Sequence, residues 1–189
     1  MSERAGAAAD SAAADSAAAD GAFQMVVGES FVGTGAEAAH INIVLGPRSG
    51  PVAVAWATAL ATPRVGHTPF VAVLRPGIPV KPLTLFVNKA SIAGAEHGTL
   101  TWGAAQAGVA GGVADAVAAG LVSAAEADDL LLIAAVWVDP AASDAELVYA
   151  NNREATTGAL QAGLAGLPAV AEVLAARERP FNPYFPARQ

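Results

Sequence analysis

Between Ala39 and Gly46 the chain alternates, with Ile41, Ile43 and Leu45 on one side and His40, Asn42 and Val44 on the other, and the run ends in Gly46-Pro47-Arg48. A period of two is that of a strand, so an imidazole and an amide project together from one sheet face. Phe23 to Val32 reads as a preceding strand, with Gly33 and Gly35 as turn signals before the His40 strand begins near Ala38. Pro51 suits the first turn of a helix that runs through Trp56 and Leu60 to Thr62, ahead of Pro63. Phe70 to Leu74 is a short buried strand, and Pro76, Gly77, Pro79 and Pro82 form a stiff connector. Leu83 to Ile92 is a further strand, whose period puts Leu85, Val87, Lys89 and Ser91 on a single face.

A small-residue helix is predicted from Gly103 to Ala119, closed by Gly120, with Gln106 in its first turn. Ser123-Ala-Ala-Glu126 reads as a capping box for one short turn, before Leu130 to Val138 forms a strand buried on both faces. A second box, Ser143-Asp-Ala-Glu146, opens the longest helix, to about Ala165, and another follows Pro168 up to Arg179. The order β-β-α-β-β-α-β-α-α points to a two-layer α+β domain with helices on one side of the sheet.

Residues 1–21 fall outside that pattern: the unit Ala-Ala-Ala-Asp-Ser recurs there with no large side chain to bury, so a flexible tail is expected. A single domain is expected over 22–180, followed by a C-terminal tail, 181–189, whose aromatics need cover. The chain of 189 residues carries 54% hydrophobic and only 14% charged residues, much of the former alanine. Close helix packing through small side chains follows, and subunit contacts could cover so uncharged a surface. The net charge of −7, with no basic cluster, disfavours nucleic acid and acidic membrane surfaces as partners. No cysteine is present, which excludes disulfides, thiolate catalysis and Cys-based metal sites. The longest apolar run, Leu130 to Val138, is far shorter than the roughly 20 residues of a membrane span. Asp10, Asp15 and Asp20 break the N-terminus before a signal-peptide core can build, so a cytoplasmic location is expected.

Chemistry has few candidate carriers. His40, His67 and His97 fall on separate elements without ligand-like spacing, so no metal is expected. The loop before Pro51 could cradle an anion, yet it lacks both the dinucleotide fingerprint and the Gly-Lys-Ser/Thr of a P-loop. His40 reads either as a satisfied core histidine or as a proton carrier. Lys89 reads either as an edge-strand lysine that discourages aggregation or as the partner of an anion.

Several blocks taken together resemble the formaldehyde-activating enzyme family: Ala39-His40-Ile41-Asn42 leading to Gly46-Pro47-Arg48, then Asn88-Lys89, Gly103-x-x-Gln106-x-Gly108-Val109, Ala114-Asp115-Ala116-Val117, Glu126-Ala127-Asp128-Asp129-Leu130 and Glu154-Ala155-Thr156. The similarity runs without a gap from about Gly28 to Gly166. It implies a two-layer α/β sandwich with a left-handed βαβ crossover, as in the second domain of the fifth small-subunit ribosomal protein, assembled as a homopentamer. It implies condensation of formaldehyde with tetrahydromethanopterin, a co-substrate, to methylene-tetrahydromethanopterin and water, with no permanently bound cofactor. His40 matches the family's proton donor. Lys89 and Gln106 match pterin-contacting residues, and Ser91 and Val71 stand where threonine and leucine are usual. Asn42 stands where the family has aspartate, and Ala107 where a histidine often follows the glutamine. The amide at position 42 supplies shape and hydrogen bonds without charge. It therefore admits a second reading, a non-catalytic paralogue that binds a reduced pterin or formaldehyde adduct as carrier or sensor.

Overall fold

In a computed structural model of the chain, the structure describes residues 23–182 and 185. The Ala/Asp/Ser repeat and most of the C-terminal tail lie outside the described residues. Among the described residues seven strands form: β1 (Val26–Val32), β2 (Ala39–Pro47), β3 (Phe70–Val71), β4 (Val73–Arg75), β5 (Ile78–Pro79), β6 (Leu83–Asn88) and β7 (Leu130–Trp137). The helices are α1 (Pro51–Ala61), α2 (Ala95–Thr99), which runs through a π-helical segment at Leu100–Ala105 into α3 (Gln106–Ala118), α4 (Ala145–Leu164) and α5 (Val170–Ala176). None of the described helices is long and apolar enough to cross a membrane.

Five strands make one mixed sheet in the order β1-β2-β7-β6-β3, and β4 and β5 pair as a separate hairpin. Only β6 and β7 run parallel, joined by the α2–α3 crossover, and every other pair in the sheet is antiparallel. The alternation of β2 is obeyed strictly: Ile41, Ile43 and Leu45 are fully buried, while His40, Asn42 and Val44 stay half-buried. Burial of each of those three large side chains is worth about 1.5–3 kcal/mol, enough to fix the register of the strand.

The covered face carries α3 and α4, packed at a distance that only small residues allow. A Cβ on Gly28 of β1 would lie 1.9 Å from the Ala159 carbonyl oxygen of α4, and one on Gly112 of α3 would lie 2.4 Å from that of Arg153. Across the outside of this contact Arg153 grips Asp115 in a two-toothed ion pair, Nε to Oδ2 at 2.6 Å and a second guanidinium nitrogen to Oδ1 at 2.8 Å.

One helix lies on the other side. A Cβ on Gly46, which shares the face of His40, would meet Cγ2 of Val52 at 2.7 Å, so α1 packs against the face opposite α3 and α4. Helices therefore cover one face fully and one end of the other. Among the described residues no helix covers the rest of the second face.

Other boundaries differ from expectation for local reasons. The helix expected at Gly103 begins at Ala95, because the glycine-rich run is wound through the π segment and anchored by buried His97 and Leu100. The cap of α4 is Asp144 rather than Ser143, its Oδ1 accepting the amides of Glu146 and Leu147 at 3.0 Å each. A carboxylate answers the positive end of a helix better than a hydroxyl does. Ser123–Glu126 makes the short turn expected of it, the Glu126 amide donating to the Ser123 carbonyl at 3.1 Å, whereas the expected proline connector carries the β4–β5 hairpin.

Candidate active site

The open face of the sheet gathers one polar cluster. His40 lies directly opposite Phe31 on β1 and Trp137 on β7, and Asn42 lies opposite Glu29, so side chains from neighbouring strands meet on one side. Lys89 follows the last residue of β6, where its amide donates to the Val136 carbonyl at 2.7 Å. Its ammonium donates to Asn42 Oδ1 at 2.7 Å, and His40 Nε2 stands 3.0 Å from Glu29 Oε1. These groups line a cleft of about 1000 Å³, with Phe31 and Trp137 as apolar walls and Asp139, Phe181 and Asn182 on its rim. The Phe31 and His40 rings sit 6.0 Å apart, tilted by 50°.

Electrostatics follow from this crowding. Partial burial lowers the His40 pKa below its usual 6.5, the Lys89 charge lowers it further, and Glu29 opposes both. Burial likewise brings Lys89 down to about 8, with Glu29 pulling the other way. An amide at position 42 accepts the ammonium's hydrogen bond but offers no charge to counter that desolvation. The imidazole therefore holds its proton less tightly than a free ring, and the lysine keeps most of its charge near neutral pH.

The position of Lys89 is set by its neighbours. Asn88 is buried, and its amide nitrogen donates to the carbonyls of Gly66 and Ala90, both at 2.7 Å. His67 Nδ1 donates in return to the Asn88 carbonyl at 2.8 Å. Arg64 and His67 pair through their backbones, so the 64–67 turn is stitched to the end of β6. Gly66 adopts φ +79°, and a Cβ there would lie 2.7 Å from Ser91 Oγ. Both the torsion and the space demand glycine.

His40, Asn42 and Lys89 are brought together; Val71, Ser91 and Gln106 are not among the residues that line this cleft. Val71 pairs with Leu85 on β3, at the far edge of the sheet. Ser91 is exposed beside Gly66. Gln106 is only 7% exposed and its amide is spent on the backbone of Val73, donating to the carbonyl at 2.9 Å and accepting from the amide at 3.3 Å. Within one chain it ties α3 to β4.

The other two histidines have structural partners. Buried His97 accepts the Ala93 amide at Nδ1 and donates from Nε2 to the Val138 carbonyl at 3.1 Å. Among the described residues no group of three or more His, Cys, Asp or Glu side chains is arranged to hold a metal ion. Sequence reasoning missed Glu29. The alternation of Val27, Glu29 and Phe31 was the available signal, but only the register of β1 against β2 shows which residue the carboxylate meets.

Comparison with known proteins gives a consistent result. Residues 27–185 match the family described as formaldehyde-activating enzyme. A 5,6,7,8-tetrahydromethanopterin hydro-lyase of Methanosarcina barkeri is 44% identical over 159 residues, which are 84% of this chain and 89% of that protein. Bifunctional Fae/Hps enzymes of Methanococcoides burtonii and Archaeoglobus fulgidus are 40% and 37% identical over 82% and 84% of this chain. The matched stretch is 39% and 40% of those longer proteins.

Proposed function

The chain belongs to the formaldehyde-activating enzyme family, and we propose that it condenses formaldehyde with tetrahydromethanopterin to give methylene-tetrahydromethanopterin and water, with His40 as general acid. The observation that carries this reading is the placement of His40 in a large cleft, 3.0 Å from a carboxylate and beside the Lys89–Asn42 pair. An amine of the pterin adds to formaldehyde to form a carbinolamine. Loss of the hydroxyl as water leaves an iminium, and a second amine closes the ring with release of a proton. The hydroxyl is a poor leaving group until protonated, and a positioned imidazole supplies about 10² to 10⁴ in rate at such a step.

Lys89 and Asn42 are assigned to hold polar groups of the pterin, and the aromatic walls to exclude water from the reacting carbon. Val71, Ser91 and Gln106 complete the carrier's pocket in this proposal. They do not line the His40 cleft within one chain, which is the arrangement expected if neighbouring subunits of a homopentamer each contribute part of the pocket. Exposed Met25, Val27, Phe31 and Trp102 supply apolar surface for such contacts. The pterin comes and goes as co-substrate, and no resident cofactor or metal is invoked. We assign the reaction to the cytoplasm because a reduced pterin requires a reducing compartment.

The test mixes purified protein, formaldehyde and tetrahydromethanopterin and follows methylene product above the spontaneous rate. The expected result is an excess that His40→Ala removes. Absence of any excess, or its survival in His40→Ala, overturns the proposal. Sedimentation tests the assembly separately, a pentamer being expected.

A further inference from the structure

Besides its ring contact with Phe31, His40 has one polar partner among the described residues, and that partner is a carboxylate contributed by another strand. Glu29 Oε1 lies 3.0 Å from Nε2, and nothing described hydrogen-bonds Nδ1. The charged groups that share the cleft are Lys89, whose positive charge works against a protonated ring, and Asp139 at the rim. Asn42 cannot supply a counter-charge, and its side-chain oxygen already accepts the Lys89 ammonium at 2.7 Å.

From this geometry we infer that Glu29 is the positioning residue of the reaction: it holds the Nε2–H of His40, favours the protonated ring against the neighbouring ammonium, and leaves Nδ1–H as the proton given to the departing hydroxyl. This rests on the condensation reading above. The proton inventory closes. In the carbinolamine the C–O bond breaks with its electron pair on oxygen, which takes the Nδ1 proton and leaves as water, while the adjacent nitrogen's lone pair forms the iminium. The second amine then attacks carbon and loses its N–H proton, which restores the imidazolium. Glu29 takes no part in the proton transfer and keeps its hydrogen bond to Nε2–H, so the ring neither rotates nor changes its anchored nitrogen between turnovers.

The two side chains are 38% and 58% exposed, so water and salt share the stabilisation and the effect is moderate. Burial and Lys89 both lower the His40 pKa, and Glu29 is the group that offsets them. Removing its charge therefore lowers that pKa further. Since the acid must be protonated to act, the rate falls as pH rises through this value, and Glu29→Gln moves that fall to lower pH.

Two measurements separate the pairing from the reaction. The first is an NMR titration of the His40 ring in the full chain, wild type against Glu29→Gln, with Glu29→Asp as the conservative variant. Glu29→Gln is expected to lower the ring's pKa by about half a unit to one unit, and Glu29→Asp to restore part of it. No drop in Glu29→Gln overturns the inference whatever the enzyme does. The second is the pH profile of condensation. In Glu29→Gln, kcat at pH 7.5 falls about 3- to 10-fold, the amount that such a shift removes from the protonated fraction, while KM for the pterin changes by less than about twofold. At low pH the variant approaches the wild-type rate. A loss of equal size at every pH shows that charge is not the cause and overturns the inference. If the titration shifts as expected but wild type shows no condensation above background, the pairing stands and the condensation reading fails.

Discussion

On the helix-covered side of the sheet, Ile41, Ile43, Leu45 and Leu132 are fully buried and the helices approach so closely that backbone meets backbone at Gly28 and Gly112. On the opposite side, one residue along the same strands, His40, Asn42 and Lys89 face a cleft and are held by single polar contacts of 2.7–3.0 Å. The first side is held by shape, where a methyl group is already too much. The second is held by charge and hydrogen bonding, where volume can change and proton affinity cannot. Stability and chemistry are thereby assigned to two faces of one strand, and substitutions on β2 should separate them residue by residue.

The largest separation is expected at His40. His40→Ala lowers the condensation rate by about 10² to 10⁴ with an unfolding free energy within about 1 kcal/mol of wild type, read by product formation and urea denaturation. A comparable loss of stability would erase the distinction between the faces. Gly28→Ala is the converse. The added methyl cannot coexist with the Ala159 carbonyl 1.9 Å away, so β1 or α4 must shift, at a cost of about 3 kcal/mol of unfolding free energy read by urea denaturation.

Lys89→Met sharpens the contrast, because the two properties should move in opposite directions. The KM for pterin rises about 10-fold, while stability at pH 7 increases by up to about 1 kcal/mol, since a partly desolvated charge is removed. The sign follows from linkage. With a folded value of about 8 against 10.5 for a free lysine, the unfolded chain binds more protons between those values. Wild-type stability therefore rises with pH across that window, and the advantage of Lys89→Met fades there. Asn42→Asp returns a charge to the pair, so the Lys89 ammonium titrates higher than about 8, as a pH series of the Lys89 Cε proton shifts would show.

The smallest effect is expected at Asp115→Asn, which breaks the Arg153 grip outside the α3–α4 contact. The hydrogen bond from Arg153 leads in holding the Asp115 carboxyl below its ordinary 3.8. The pair's contribution is present above 3.8 and lost as pH falls through the lower folded value. Because both side chains are about two-fifths exposed, the loss is under about 1 kcal/mol near neutral pH.

The β2 alternation was legible in full, because its period of two directly encodes which side is buried. So were the strand at Leu130–Trp137, which the expectation extended by one residue to Val138, and the α1 start at Pro51, although that strand is not buried on both faces as expected: Ile133, Ala135 and Trp137 stay half-buried. The proximity of His40, Asn42 and Lys89 was not. It depends on β7 lying between β2 and β6 in the sheet, a non-local order that periodicity does not contain. Glu29 was hidden for the same reason. The π segment escaped because a wider turn leaves no mark in a run such as Leu100-Thr-Trp-Gly-Ala-Ala105, and α1 was expected on the side of the other helices since a helix's own sequence does not name the sheet face it meets.

The turn at 64–67 bears on how this protein can change. Because His67, Gly66 and Asn88 exchange backbone and side-chain hydrogen bonds, the length of that turn sets the height from which the Lys89 ammonium reaches Asn42. A surface loop that looks free to grow is thus geared to the cleft. Insertion scanning of the chain should find 64–67 intolerant, where ordinary connections accept extra residues.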